Sequence, residues 1–315
     1  MKPPHSSRDL SEILRYRAAM SPSQVAFRFL ADGANVSAQW SFAELLQRAE
    51  TVACQLRSHG VEQERVLLLF PPSLDFIAAF FGCLLSDNIA VPMYAPRRNR
   101  PDPRAQAIVR DSQAKTALST AVVLEDLDRY CKHDPQLSNL QWLQFDDQDA
   151  ETSGTTDLPQ ETHSESYSEL AFLQYTSGST STPKGVMVSH ANLLHTLHDL
   201  DVGFQHDDDS ILVSWLPTFH DLGLIYGALM PVYRGITGVL MPPVAFLQRP
   251  ANWLEAISDY HATHSAAPNF AYELCSQAIT SVQRRELDLS SWKMSLNAAE
   301  PVRACLLYTS DAADE

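Results

Sequence analysis

The densest chemical signal in the chain is Leu173-Gln174-Tyr175-Thr176-Ser177-Gly178-Ser179-Thr180-Ser181-Thr182-Pro183-Lys184-Gly185. From Thr176 to Thr182, six of the seven residues carry a hydroxyl and the seventh is glycine. Glycine lets the backbone turn tightly so that consecutive N–H groups converge, hydroxyls add donors, and Lys184 brings a positive charge. Together they make a cradle for a polyphosphate. The run is not a Walker loop, because no Lys follows a Gly at the place that G-x-x-x-x-G-K-[ST] requires, and no G-x-G-x-x-G occurs in the chain. A Ser/Thr-rich hairpin turn with a solvated lysine is the other reading that composition leaves open.

Further chemistry-bearing residues lie downstream. His220 sits in Leu216-Pro217-Thr218-Phe219-His220-Asp221-Leu222-Gly223-Leu224-Ile225. A histidine there can donate to a carboxylate or phosphate oxygen while its ring borders an apolar channel, although a His beside an Asp is more often a structural pair. His190, His195 and His198 fix no third ligand and read as a solvated helix face, so no metal site is expected. Arg97-Arg98-Asn99-Arg100 is the one dense basic cluster, either a solvated turn or a docking surface for an acidic partner.

The elements that must hold these residues follow from periodicity. Val66–Phe70, Ile89–Pro92 and Thr116–Ser119 read as buried strands, alternating with helices at Ser73–Leu85 and Arg104–Asp111. That β-α-β-α-β rhythm predicts a parallel sheet with helices on its faces. Leu10–Met20 and Ser41–His59 have helical spacing, with a capping box at Ser41 and Glu44 and a stop at Gly60. Residues 146–169 are acidic, rich in Ser and Thr, and poor in large apolar side chains, so they read as a linker. Strands at 170–175, 185–188, 211–215, 237–241 and 292–296 then alternate with helices at 191–200, 223–232, 251–260 and 270–279. The expected division is therefore 1–145, one α/β unit; 146–169, the linker; 170–304, a second α/β unit; and 305–315, a tail of doubtful origin.

Composition narrows the function. In 315 residues, 23 Lys and Arg face 38 Asp and Glu, a net charge of −15, and the hydrophobic fraction is 45%. Such an acidic surface repels phosphate backbones, which argues against nucleic-acid binding. Residues 1–7 lack the charged start and apolar stretch of a secretory signal. The longest apolar run, 76–85, is half of the roughly 20 residues a membrane span needs, so no transmembrane segment and a cytoplasmic protein are expected. Five scattered cysteines, none in C-x-x-C, make neither a disulfide framework nor a zinc knuckle, and Cys83 reads as core filler.

Residues Tyr175 to Gly185 resemble the phosphate-binding loop of the adenylate-forming superfamily, which includes acyl-CoA synthetases, peptide-synthetase adenylation domains and luciferases. Ser181 stands where the common pattern has Gly, and this version is similar to the fatty acyl-AMP ligase branch. The His220 segment resembles that branch's Leu-Pro-x-x-His-Asp-x-Gly-Leu-Ile. Pro268-Asn269-Phe270-Ala271-Tyr272-Glu273-Leu274 looks like the helix start that walls its acyl tunnel. Asn297-Ala298-Ala299-Glu300-Pro301-Val302 is similar to its adenine wall, Asn-Gly-Ala-Glu-Pro-Val, with Ala298 replacing glycine. Phe70-Pro71-Pro72 and Val91 to Arg98 also match, so the likeness runs from about residue 10 to 303.

The resemblance implies part of the large N-terminal domain of an adenylate-forming enzyme: two three-layer α/β units packed together with the nucleotide cleft between them. It implies that ATP, with Mg²⁺, activates a long-chain fatty acid to acyl-AMP, which passes to an acyl carrier protein or a polyketide or peptide synthase. Thr176, Ser177, Gly178, Ser179, Thr180, Ser181 and Lys184 would hold phosphates, and Asn297, Ala298, Ala299 and Glu300 would line adenine. Phe219, His220, Gly223, Asn269 and Phe270 would meet the acyl group, with Lys184 and His220 catalytic. The family's magnesium-binding glutamate, ribose-binding aspartate, hinge and C-terminal catalytic lysine are not matched before residue 315, so the fragment alone is expected to be inactive. A fatty acyl-CoA ligase, or a silent module binding nucleotide or acyl-adenylate, are the competing readings.

Overall fold

The computed structural model describes residues 7–94, 102–133, 136–145, 168–176 and 183–302. Among them are β1 (Val25–Phe29), β2 (Ala38–Ser41), β3 (Arg65–Leu68), β4 (Ile89–Pro92), β5 (Thr116–Ser119), β6 (Gln141–Gln144), β7 (Leu170–Thr176), β8 (Lys184–Ser189), β9 (Ile211–Ser214), β10 (Thr237–Leu240), β11 (His264–Ala267) and β12 (Met294–Asn297). They form two six-stranded sheets, ordered β6-β5-β3-β4-β7-β8 and β12-β11-β9-β10-β1-β2.

The first sheet belongs to a unit made of residues 7–24 and Ser41–Thr196. From β6 to β7 its strands run parallel, and β7–β8 is an antiparallel hairpin. The expected β-α-β-α-β run is there: β3, the helix Asp75–Leu85, β4, the helix Pro103–Ser112 and β5. Leu67, Val91, Ala117 and Leu173 pack with Ala105, Ile108 and Val109 of the second helix. Phe172, which strand alternation turns to the opposite face from Leu173, meets Phe80 of the first helix at a centroid distance of 5.7 Å. Helices therefore cover both faces, as a parallel sheet requires. The capping box at Ser41 and Glu44 starts the helix Phe42–Ser58, and Asp9 caps Leu10–Met20.

The second sheet belongs to a unit made of Val25–Trp40 and the chain from Leu197. β12, β11, β9, β10 and β1 are all parallel. One face packs Val213, Trp215, Val239 and Met241 against Phe246, Trp253, Ile257 and Ala271. Trp253 is fully buried, and its indole N–H donates to Ser265 Oγ at 2.8 Å.

The unit boundaries differ from those expected at 145 and 170. β7 joins β4 in parallel (Ala90↔Phe172), because five of its seven residues are buried and need neighbours on both faces. β1 adds to the distant β10 (Phe27↔Gly238), with Thr237 Oγ1 donating to the Val25 carbonyl at 2.8 Å. Residues 146–167 and 303–315, where the linker and tail were expected, lie outside the described residues, but Ser168 is held, its N–H donating to Asp87 at 2.9 Å. Among the described residues no helix is long and apolar enough to cross a membrane. Cys83 is fully buried, with its thiol pushed well up by burial, and is core filler as expected.

His195 and His198 are exposed on the helix His190–Phe204, but His190, expected on the solvated face, is buried. It is the first residue of that helix, its N–H is fixed to the Glu169 carbonyl at 3.0 Å, and burial lowers its pKa.

A buried histidine pair also bears on stability. The His206 and His264 rings stack at 4.3 Å, and His264 is 1% exposed. Asp201 lies 3.5 Å from His206 Nδ1 and 3.3 Å from Arg234 Nε, while Arg234 also reaches Asp208 at 2.8 Å. Asp207 and Lys293 pair beside them at 2.9 Å. Burial, chiefly, lowers the pKa of His264, with Phe204's carbonyl and Asp207 opposing and His206 assisting. The folded chain therefore binds fewer protons at this site than the unfolded chain, whose histidine titrates near 6.5. The stabilisation is complete above that pH and is lost as pH falls below it. We expect the melting temperature to drop between pH 7 and pH 5.5, with a shallower slope in His264→Gln; thermal melts across that range measure it, and an unchanged slope removes His264 from the account.

Candidate functional site

Each unit carries its share of the expected site residues at the C-terminal ends of parallel strands, the edge where α/β sheets bind ligands. In the first unit, Thr176 closes β7, Lys184 opens β8, and the two are paired in register. Both are exposed. Ser177, Gly178, Ser179, Thr180 and Ser181 lie outside the described residues, as do Arg97 to Arg100. The hairpin thus fixes where the hydroxyl-rich loop leaves the sheet and where Lys184 rejoins it.

In the second unit, β9 leads into Trp215 and then the 216–225 segment. Asp221 caps the next helix by accepting from the Leu222 N–H, and Leu222–Leu229 winds as a π-helix rather than the expected α-helix, giving way to an α-helix at Met230–Arg234. Wide turns of this kind are rare and recur at functional sites. His220 Nδ1 lies 2.6 Å from Asp221 Oδ1 with both side chains 54% exposed, which orients the imidazole at the head of that helix. The same hydrogen bond, before other causes, holds the Asp221 carboxyl below its usual range. Gly223 is buried, and a Cβ there would run into the backbone carbonyl of Pro217. Its role in the structure is to let residues 216–217 and the π-helix close on each other.

Asn269 and Phe270 begin the helix Asn269–Ala278 directly after β11. Phe270 is 42% exposed and stands edge-on to Trp215 at 5.9 Å, and Trp215 stacks on Phe246 at 4.1 Å. Asn269 faces the other way. It is fully buried, accepts from Asn297 Nδ2 at 2.8 Å and donates to the Pro301 carbonyl at 2.7 Å, so it clamps the segment after β12. Ala298 continues that segment by donating its N–H to the Ala267 carbonyl at 3.1 Å, and Glu300 ends the described turn. Asn297, Ala298, Ala299 and Glu300 are therefore brought together with Asn269.

Two features of this region carry no signal in the sequence. Trp215 is 3% exposed, and its Nε1 has no hydrogen-bond partner among the described residues, leaving a buried donor that a ligand oxygen or a water can occupy. A lone Trp at a strand end does not announce such a donor. The other is backbone strain: Ala299 has φ +72°, while Ala298, at the position where the pattern has glycine, has negative φ. Among the described residues no group of three or more His, Cys, Asp or Glu is placed to hold a metal ion.

The AMP-binding enzyme family profile matches residues 14–310. The chain belongs to the AMP-binding enzyme family. The match to this AMP-binding domain extends to individual relatives. The medium-chain-fatty-acid–[acyl-carrier-protein] ligase JamA of Moorena producens is 41% identical over 304 residues, covering 93% of the chain and 50% of JamA. The long-chain-fatty-acid–AMP ligase FadD26 of Mycobacterium marinum is 36% identical, with 91% and 50% covered. The crystal structure of the Legionella pneumophila fatty acyl-adenylate ligase, in complex with acyl adenylate and pyrophosphate, matches with a TM-score of 0.84 and 37% identity over 98% of this chain and 52% of that one. The chain thus spans about half the length of the curated relatives it matches. Its fold is part of the large N-terminal domain of adenylate-forming enzymes, as the resemblance implied.

Because the positive φ falls on Ala299, the replacement of glycine by Ala298 carries no conformational penalty, and Ala299 carries one instead. An L-residue in the left-handed region costs about 1–2 kcal/mol, against roughly 0.5–1 kcal/mol for the greater entropy of glycine. Ala299→Gly should therefore leave the melting temperature unchanged or raise it, and Ala298→Gly should lower it. Thermal melts of the two variants side by side check the assignment; the opposite order would place the turn one residue earlier.

Proposed function

We propose that this chain is the N-terminal half of an enzyme that activates a fatty acid with ATP to acyl-AMP and pyrophosphate and then passes the acyl group to an acyl carrier protein. The observation that carries the reading is the 37% identity, across nearly the whole chain, to a ligase whose crystal structure contains acyl adenylate and pyrophosphate. The name of JamA, an acyl-carrier-protein ligase, supports the acceptor.

The carboxylate is a weak nucleophile approaching a negatively charged α-phosphate, so the reaction needs positioning and charge neutralisation rather than a covalent helper. Lys184 would offset charge on the β- and γ-phosphates as pyrophosphate leaves, with Thr176 and the loop after it as donors. His220, oriented by Asp221, would steady the acid's carboxylate. Phe219 and Phe270, both partly exposed, would border the acyl chain, and Asn297 to Glu300 would line the adenine. Magnesium would enter as the counter-ion of ATP; the described residues offer no ligand cluster for it, and no step here depends on one. The basic segment Arg97 to Arg100 is suited to an acidic carrier protein. A cytoplasmic location is part of the same proposal.

The test is fatty-acid-dependent exchange of labelled pyrophosphate into ATP by the full gene product. Lys184→Ala should slow exchange by about ten- to a thousand-fold, the loss expected when one charge-stabilising donor is removed, with little change in melting temperature. Unchanged exchange would make Lys184 a solvated surface residue. Faster loading of coenzyme A than of carrier protein would favour the acyl-CoA ligase reading, and no exchange with any acid would favour the silent module.

A further inference from the structure

We propose that Tyr175, Asp111 and Gly185 form the anchor that sets where the phosphate loop leaves and rejoins the sheet, which makes Tyr175 and Asp111 positioning residues for the polyphosphate. The proposal rests on the reading of residues 176–184 as a phosphate loop.

The β7–β8 register ends in two pairs, Tyr175↔Gly185 and then Thr176↔Lys184. The last pair holds the loop's first hydroxyl and its lysine. Their placement is therefore inherited from the pair beneath. Tyr175 is 5% exposed, and its ring covers Gly185 so closely that a Cβ on Gly185 would come within 2.9 Å of Cζ and 3.0 Å of Oη. Only glycine lets the ring lie there. The ring's far end is fixed as well, since Tyr175 Oη donates to Asp111 Oδ2 at 2.7 Å. A hydrogen bond to a carboxylate is shorter and stronger than one between neutral groups. Burial, and then this carboxylate, push the phenol's pKa upward, so it remains a donor throughout the neutral range.

Asp111 stands in the last turn of the helix Pro103–Ser112, which packs on the sheet through Ala105, Ile108 and Val109. The anchor thus ties the loop's base to a rigid helix that is 64 residues away in sequence. The phosphate reading does not require Asp111, and no motif in the sequence singles it out.

The experiment uses the full gene product. Binding of ATP and of inorganic pyrophosphate is measured by calorimetry, and amide hydrogen exchange is followed in β7, β8 and β3, for the wild type and for Tyr175→Phe, Asp111→Ala, their double variant, Asp111→Asn and Lys184→Ala. Tyr175→Phe and Asp111→Ala should each weaken binding about tenfold, and the double variant no further, because both remove one bond. Asp111→Asn keeps an acceptor and should restore most of the affinity. Exchange should rise at Thr176, Lys184 and Gly185 while β3 stays protected. If Lys184→Ala weakens binding but the Tyr175 and Asp111 variants do not, the anchor is wrong and the phosphate loop stands. If exchange rises in β3 as much as in the hairpin, the bond is general scaffolding and the positioning role is overturned. If the wild-type chain binds neither probe, or Lys184→Ala leaves its affinity unaltered, the phosphate-loop reading falls and the positioning role falls with it.

Discussion

Parallel strand pairing is the constraint on which the rest of this protein depends. Parallel neighbours cannot be joined by a tight turn, so each strand must be followed by a crossover that returns the chain to the starting edge. The C-terminal ends of the parallel strands then collect along one edge of each sheet, and the segments proposed to carry chemistry begin there. In the first unit β7 delivers the hydroxyl-rich loop, and in the second β9, β11 and β12 deliver the His220 segment, the Asn269 helix start and the 297–300 turn. Residues far apart in sequence become neighbours without any local signal to say so: Asn269 reaches Asn297 only because β11 and β12 lie side by side.

The antiparallel β8 is the exception that this edge permits. A hairpin needs no crossover, so the loop proposed to hold phosphates has both its ends pinned to the sheet, Thr176 on one strand and Lys184 on the next. A loop held at both ends loses less entropy on ordering around a ligand than one held at a single end. The two ends of the hydroxyl-rich run are therefore already placed.

The parts of the fold that were legible in the sequence obey the same physics. Strong local periodicity identified β3 to β5 and the helices between them, and the Ser41 capping box and the Asn269 helix start were correct to within a residue or two. The miss at β11, His264-Ser265-Ala266-Ala267, is instructive. All four residues are buried, yet their small and polar side chains show neither alternation nor a hydrophobic run. β1 was missed because its partner β10 is some two hundred residues away, and that pairing, not the 146–169 stretch, decides which unit β1, and β2 at the edge beside it, join. Of the candidate site, the residue types were readable while their division of labour was not. Asn269 looks in sequence like an acyl-wall residue, but its amide is spent on Asn297 and Pro301, and Gly223 is explained by the approach of residues 216–217. The π-helix needs wide-turn hydrogen bonds that no hydrophobic pattern encodes.

The environments of the nucleophilic side chains bear on the kind of catalysis these units can support. Burial pushes the Cys275 thiol up to about 12, and Cys83 shifts in the same direction inside the core, so neither forms a thiolate near neutral pH. Tyr175 and Tyr226 are likewise moved up by burial and stay protonated. His220 has its Nδ1 engaged by Asp221, which orients the ring. A covalent intermediate on these cysteines or tyrosines would need a deprotonated form that burial disfavours. Bringing a carboxylate up to a polyphosphate, the reaction proposed for the parent enzyme, asks instead for donors, one cation and fixed geometry, the role proposed for Thr176, Lys184 and the hairpin that pairs them.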